Sequence, residues 1–209
     1  MKHPFNLGIL GGAGPRACVH FQQLFLDAWA RETGAWRDSE FPRLIVDTQA
    51  FESVTENGPE DCEKLRDEIH AGATRLREAG AQAFVIPCFS IHQVWPTMFT
   101  VIDWIDLRAI ALNRYPDEQV PAVMLQAENS DMMIEWANKI GPVYRAPDQE
   151  YVTELIKAGM GNGPTVITSD SKRCILGCSE LSLHEWPGDV YDCLKESAEG
   201  LVKLIQVFG

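Results

Sequence analysis

The chain predicts an α/β fold: two similar lobes, each a parallel sheet flanked by helices, with the active site in the cleft between them. Three observations carry this expectation. Short apolar runs alternate with amphipathic helical stretches over most of the chain, which is the pattern of a parallel sheet. The first apolar run passes directly into a glycine turn, GGAGP. Two further runs, AFVIPCFSIH (residues 83–92) and CILGCSEL (residues 174–181), each end on a cysteine with a hydroxyl residue close behind.

Taken in order, residues 5–10 are apolar enough for a buried strand, and Gly11 to Pro15 supply the turn. Residues 16–32 predict a helix, with Val19, Phe21, Leu24, Phe25 and Ala28 offered to its buried face. Residues 43–48 form the second strand. Residues 59–79 form a long amphipathic helix that Gly80 closes, and residues 82–86 a third strand leading to Pro87 and Cys88. The alternation then restarts, with strands at 101–105, 121–125, 142–145 and 173–177 and helices at 107–114, 130–140 and 149–158. A last helix covers 190–207. The lobes expected from this pattern are residues 1–97 with 196–209, and residues 98–195.

Composition limits the function. With 209 residues, 45% of them hydrophobic, the chain can bury one good core or two small ones that share an interface. A net charge of −12 repels phosphate backbones and anionic lipid, so neither nucleic acid nor a membrane is expected as a partner. A small-molecule substrate is. The apolar run after MKHP is too short for a signal segment, and no 18-residue apolar stretch follows, so the expected location is the cytoplasm. The six cysteines lack framework spacing, which fits free thiols in a reducing compartment.

In a parallel sheet, ligands collect at the carboxyl ends of the strands, where both cysteines fall. A thiol at a helix N-terminus is expected to have a lowered pKa. Taken singly, either cysteine reads as a small buried hydrophobe. Two at equivalent places in two lobes suit a particular task, moving a proton from one face of a carbon to the other. Sulfurs serving one carbon from opposite sides should stand ~7 Å apart.

GILGGAGP (residues 8–15), IPCFSIH (residues 86–92) and ILGCSEL (residues 175–181) resemble the signature stretches of the aspartate/glutamate racemase superfamily. The resemblance implies cofactor-independent inversion of an amino acid's α-carbon, with Cys88 and Cys178 as opposed acid and base. The implied substrate is aspartate or a related α-amino acid, and a homodimer is left open. It also implies a substrate site of Gly11, Gly12, Gly14, Phe89, Ser90, Ser130, Lys157, Ser179 and Glu180. Glu180 is similar to the aspartate-racemase branch, and Lys157 matches a basic residue used there near the distal carboxylate. Phe89 stands where the family has an asparagine, and Asn129 and Ser130 correspond to its Gly-Thr turn. The arginine of the loop after the second strand is missing from TQAFESVTENG (residues 48–58), and the helix before the second cysteine strand is shortened to about residues 163–172.

Other readings compete. Residues 12–17 have the form G-x-G-x-x-A of a dinucleotide site, but Pro15 removes a donor that a pyrophosphate needs, and Asp47 comes too late for a ribose contact. Cys174 and Cys178 share a strand face, yet no second pair lies at zinc spacing, so no metal is expected. His92 reads as a residue positioning Cys88, a helix cap or a structural histidine, and His184 as a surface residue. Trp95, Trp104 and Trp186 read as packing residues or as an aromatic wall for a less polar substrate. A racemase-like protein that binds a ligand without turning it over is the alternative from another class.

Overall fold

The structure is a computed structural model that describes residues 5–97, 100–116, 122–128, 130, 143–146, 148–161 and 173–208. The strands are β1 (Asn6–Gly11), β2 (Arg43–Thr48), β3 (Val54–Thr55), β4 (Gly58–Pro59), β5 (Ala83–Val85), β6 (Asp103–Trp104), β7 (Ala122–Leu125), β8 (Val143–Arg145), β9 (Arg173–Leu176) and β10 (Val190–Asp192). The helices are α1 (Pro15–Thr33), α2 (Cys62–Glu78), α3 (Leu107–Arg114), α4 (Gln149–Gly161) and α5 (Cys193–Phe208). The expected helix at 130–140, beyond Ser130, and the segment 163–172 lie outside the described residues.

Two four-stranded sheets are built to one plan. The first runs β2-β1-β5-β6 and the second β8-β7-β9-β10, every pair parallel. Numbered within each sheet, both orders are 2-1-3-4. The strand order therefore reverses between the first and third strands of each sheet, at β1/β5 and at β7/β9. Such a reversal opens a crevice at the carboxyl ends, where ligands bind in open α/β sheets. The glycine turn and Cys88 leave the first crevice, and Ala127 and Cys178 leave the second.

The alternation of side chains across a strand divides the core. Leu7, Ile9 and Val85 face one way, into a cluster with Phe21 and Phe25 of α1 and Leu194, Leu201 and Ile205 of α5. Leu10, Phe84 and Ile86 face the other way, onto Leu65, Ile69 and Leu76 of α2. The first cluster also takes Ala122, Met124 and Ile175 from the second sheet, so the lobes share one core. Leu125 and Leu176 turn instead to Val152, Leu155 and Ile156 of α4. Among the described residues no helix is long and apolar enough to cross a membrane.

Local chemistry sets the helix boundaries. Gly14, at φ 69°, precedes α1 with Pro15 at its first turn, and Gly34 closes it in the left-handed conformation. Asp61 caps α2 by accepting from the Glu63 and Lys64 amides, both at 3.0 Å. Asp106 accepts from the Arg108 amide at the start of α3, and Asp192 from the Leu194 amide at the start of α5.

Four expectations are corrected. Residues 103–104, expected to open the second lobe, are the fourth strand of the first sheet, paired with Ala83 and Phe84. Residues 190–192, expected as helix, pair with Cys174 to Leu176 as a strand, and α5 starts only at the Asp192 cap. The helix predicted from residue 59 starts at Cys62, because Gly58–Pro59 forms an antiparallel ribbon with Val54–Thr55. Val19 is 66% exposed, since its position in α1 points away from the stripe of Phe21, Phe25 and Ala28.

Candidate active site

The polypeptide leaves β5 and β9 in similar ways. Ile86 and Pro87 lead to Cys88 and a 3-10 turn over Ser90–Thr97, and Gly177 leads to Cys178 and a 3-10 turn over Ser179–Leu183. Gly177 is required where it stands, since a Cβ there would lie 2.4 Å from the sulfur of Met124. Both cysteines line one cleft of about 690 Å³, mouth included, together with Gly12, Gly14, Ser90 and Glu180. The β3–β4 ribbon supplies another wall through Val54, Thr55 and Glu56, and Ile156 of α4 faces it from the second lobe.

The glycine turn is pressed against its surroundings. A Cβ on Gly12, at φ 119°, would sit 1.6 Å from the Gln49 carbonyl oxygen, and one on Gly14 would sit 2.0 Å from Glu180 Oε1. Glu180 thus packs its carboxylate against the loop where a dinucleotide's pyrophosphate would have to lie, and the two anions would repel. The same carboxylate accepts from Cys178 Sγ at 2.9 Å and from Ser179 Oγ at 3.0 Å. Ser130 Oγ donates to Ser90 Oγ at 2.7 Å, a buried hydrogen bond between the lobes.

The thiols contradict the expectation of a lowered pKa. Burial, with the Glu180 charge added, pushes the Cys88 thiol up to about 12, against the opposing effect of the Ile91 and Ser90 amides. Burial also holds the Cys178 thiol well above the ordinary range, with the charges of Glu180 and Cys88 acting the same way. The physical reason is that desolvation of a thiolate next to a carboxylate is costly, and the amides at the start of a short 3-10 segment offset only part of that cost.

The remaining candidates divide. Gly12, Gly14, Ser90 and Glu180 line the cleft, whereas Gly11, Phe89, Ser130, Lys157 and Ser179 do not. Gly11 packs beneath the turn, where a Cβ would meet Cys18 Sγ at 2.4 Å. The Phe89 ring is buried in the shared core, so it replaces an amide with packing rather than with a new wall. Ser130 and Ser179 reach the site through Ser90 and Glu180. Lys157 Nζ is engaged by Glu154 at 3.1 Å and Glu56 at 3.8 Å. Asn129 lies outside the described residues. The sequence reading missed Phe51, Thr55, Glu56 and Ile156, because a two-residue ribbon and the inner face of α4 leave no pattern that marks them as cleft walls.

His92 is fully buried, its Nδ1 2.9 Å from the Cys88 carbonyl oxygen and its ring 5.1 Å from that of Trp104. His184 is buried rather than exposed, with Nε2 2.8 Å from the Leu155 carbonyl oxygen, and ties the second cysteine turn to α4. Neither Trp104 nor Trp186 lines the cleft: Trp104 packs in the core, and Trp186 donates Nε1–H to the Leu181 carbonyl. The Trp95 side chain lies outside the described residues.

Burial lowers the His92 pKa to about 4, with Asp106 opposing that shift and Arg108 adding to it. The folded protein therefore binds fewer protons than the unfolded chain between pH 6.5 and 4, so stability falls as the pH drops through that window. The expected loss is up to ~3 kcal/mol. Urea unfolding at pH 7.5 and pH 4.5 checks it: His92→Gln should show a clearly smaller loss on acidification than the wild type. Identical losses would assign the acid sensitivity to other groups.

Similar proteins were found at two levels. No protein-family model matches the chain. The broad specificity amino-acid racemase RacX of Bacillus subtilis is 26% identical over 86 residues, which span 41% of this chain and only 37% of that protein. Among solved structures, an aspartate racemase homologue of Pyrococcus horikoshii superposes with a TM-score of 0.70 at 18% identity, covering 96% of this chain and 99% of that one. The aspartate racemase of Picrophilus torridus gives 0.73 at 15% identity, over 97% and 94%. A glutamate racemase of Thermus thermophilus gives 0.63 at 13% identity, over 100% and 83%. The chain has the two-lobed fold of the aspartate/glutamate racemase superfamily, the family that its glycine turn and two cysteine stretches resemble.

Proposed function

We propose that the protein inverts the α-carbon of an amino acid without a bound cofactor, using Cys88 and Cys178 on opposite faces of that carbon. The observation that carries this reading is the presence of two thiols, from equivalent strand ends of two like-built sheets, in one cleft with a carboxylate touching one of them. The backbone amides of the glycine turn and the Ser90 hydroxyl would hold the α-carboxylate and the negative charge that develops beside it. Glu180 would meet the α-ammonium, whose positive charge offsets the carboxylate charge that adds to burial in keeping both thiols protonated.

The proton balance runs through three groups. Cys178 passes its proton to Glu180, giving a thiolate and a carboxylic acid. The thiolate takes the α-proton from one face, and Cys88 delivers its own proton to the other face and is left as a thiolate. Exchange with solvent then restores the starting protonation, and the opposite enantiomer uses the thiols in reverse order. Six free cysteines suit a reducing compartment such as the cytoplasm.

Aspartate, the substrate that the resemblance implies, would have to draw Lys157 away from two carboxylates. A binding protein without turnover is the second reading, favoured by Phe89 and by the high proton affinity of both thiols. Incubation with single enantiomers of a panel of amino acids, followed by circular dichroism, separates the two. Decay of the optical signal to zero is the expected result. A ligand-dependent rise in Tm with no change in the optical signal would mark a binder.

A further inference from the structure

We infer that the side-chain end of this cleft selects an amino acid with a long cationic side chain, through Glu56; the inference rests on reading the cleft as an amino-acid site. Glu56 follows β3 at the tip of the ribbon and is one of two carboxylates in the cleft wall, the other being Glu180. Among the described residues the wall holds no lysine or arginine. Lys157 stands behind it, shared between Glu56 and Glu154. Two carboxylates thus hold one ammonium, Glu180 adds a third negative charge to the cleft wall, and an incoming anion would meet net negative charge.

The rest of the wall agrees with this charge pattern. Apart from the thiols, the two carboxylates, Thr55 and Ser90, the side chains of the wall are apolar, Ala50, Phe51, Val54 and Ile156 among them. A cleft that combines apolar side chains with the Glu56 carboxylate fits a methylene stem that ends in an ammonium or guanidinium, as in lysine, ornithine or arginine. Aspartate has no stem to cover these groups, and its distal carboxylate would face Glu56. The ribbon that carries Glu56 is held at its base, where Ser53 Oγ donates to Glu68 Oε2 of α2 at 2.5 Å and Lys64 pairs with Glu52. Glu56 is therefore presented by an anchored element. The 3.8 Å approach of Lys157 Nζ to its Oε1 shows that it accepts an ammonium.

The test uses lysine, its uncharged isostere norleucine, glutamate and aspartate, with α-proton exchange in deuterated water read by NMR for the wild type and for Glu56→Gln. The expected result is a kcat/KM for lysine at least tenfold above those of norleucine and both acidic amino acids, and a lysine-to-norleucine ratio that falls at least tenfold in Glu56→Gln. Faster exchange of glutamate or aspartate than of lysine, or a ratio that does not move, would overturn the assignment while leaving racemisation intact. If no amino acid exchanges, the racemase reading fails, and calorimetry with the same four ligands decides the side-chain assignment separately. Lysine bound at least tenfold more tightly than norleucine would uphold it; equal binding, or none, would overturn it.

Discussion

Cys88→Ser and Cys178→Ser are each expected to lower racemisation by ~10³-fold or more, because a serine hydroxyl is too weak an acid and too poor a base to replace a thiol. The two losses should not be equivalent in kind. Each variant keeps one thiol on one face of the α-carbon and should still exchange the α-proton of the enantiomer that presents its hydrogen to that thiol. The two variants should therefore favour opposite enantiomers. Both side chains are buried and nearly isosteric with serine, so the fold should survive, which circular dichroism would verify. Exchange of the same enantiomer by both variants would mean that the thiols do not act on opposite faces. Wild-type rates in both would end the two-thiol account.

Glu180→Gln is the second large effect, and its two readouts move in opposite directions. Racemisation should fall by ~10²-fold, since glutamine cannot take the Cys178 proton. Alkylation by iodoacetamide at pH 8 should accelerate, since removing a buried negative charge lowers the pKa of both thiols and raises their thiolate fraction. Lost activity with no gain in alkylation at Cys88 would mean that the Glu180 charge does not help to hold the thiols protonated. The carboxylate's contacts with Cys178, Ser179 and the back of Gly14 make this residue the hub of the site.

Much of this was legible in the sequence where period and punctuation agree. The strand-turn-helix of Asn6 to Thr33 shows an apolar run, a glycine turn, a proline at the first helical turn and a glycine stop, and each signal has a local cause. The two cysteine stretches were legible because strand ends followed by small or polar residues interrupt apolar runs. Residues 103–104 and 190–192 were not, because strands of two or three residues have no period of their own and are fixed by pairing with β5 and β9. The thiol chemistry was misread for a comparable reason: sequence supplies the nearby amides, but desolvation and the Glu180 charge exist only once the lobes close on each other. His184 looked polar and exposed until the Leu155 carbonyl gave it a buried partner. Glu56 carried no motif, and its place in the cleft wall depends on a ribbon held by Glu68.

The central claim is inversion of an amino acid's α-carbon between two thiols, and the most direct test follows a single enantiomer in deuterated water over the first few per cent of reaction. Two opposed acids and bases predict that deuterium appears first in the product enantiomer, delivered by the thiol that has already exchanged with solvent, while recovered substrate stays protonated. Equal labelling of substrate and product from the start would indicate one base acting on both faces. No label in any amino acid tested would contradict the account altogether.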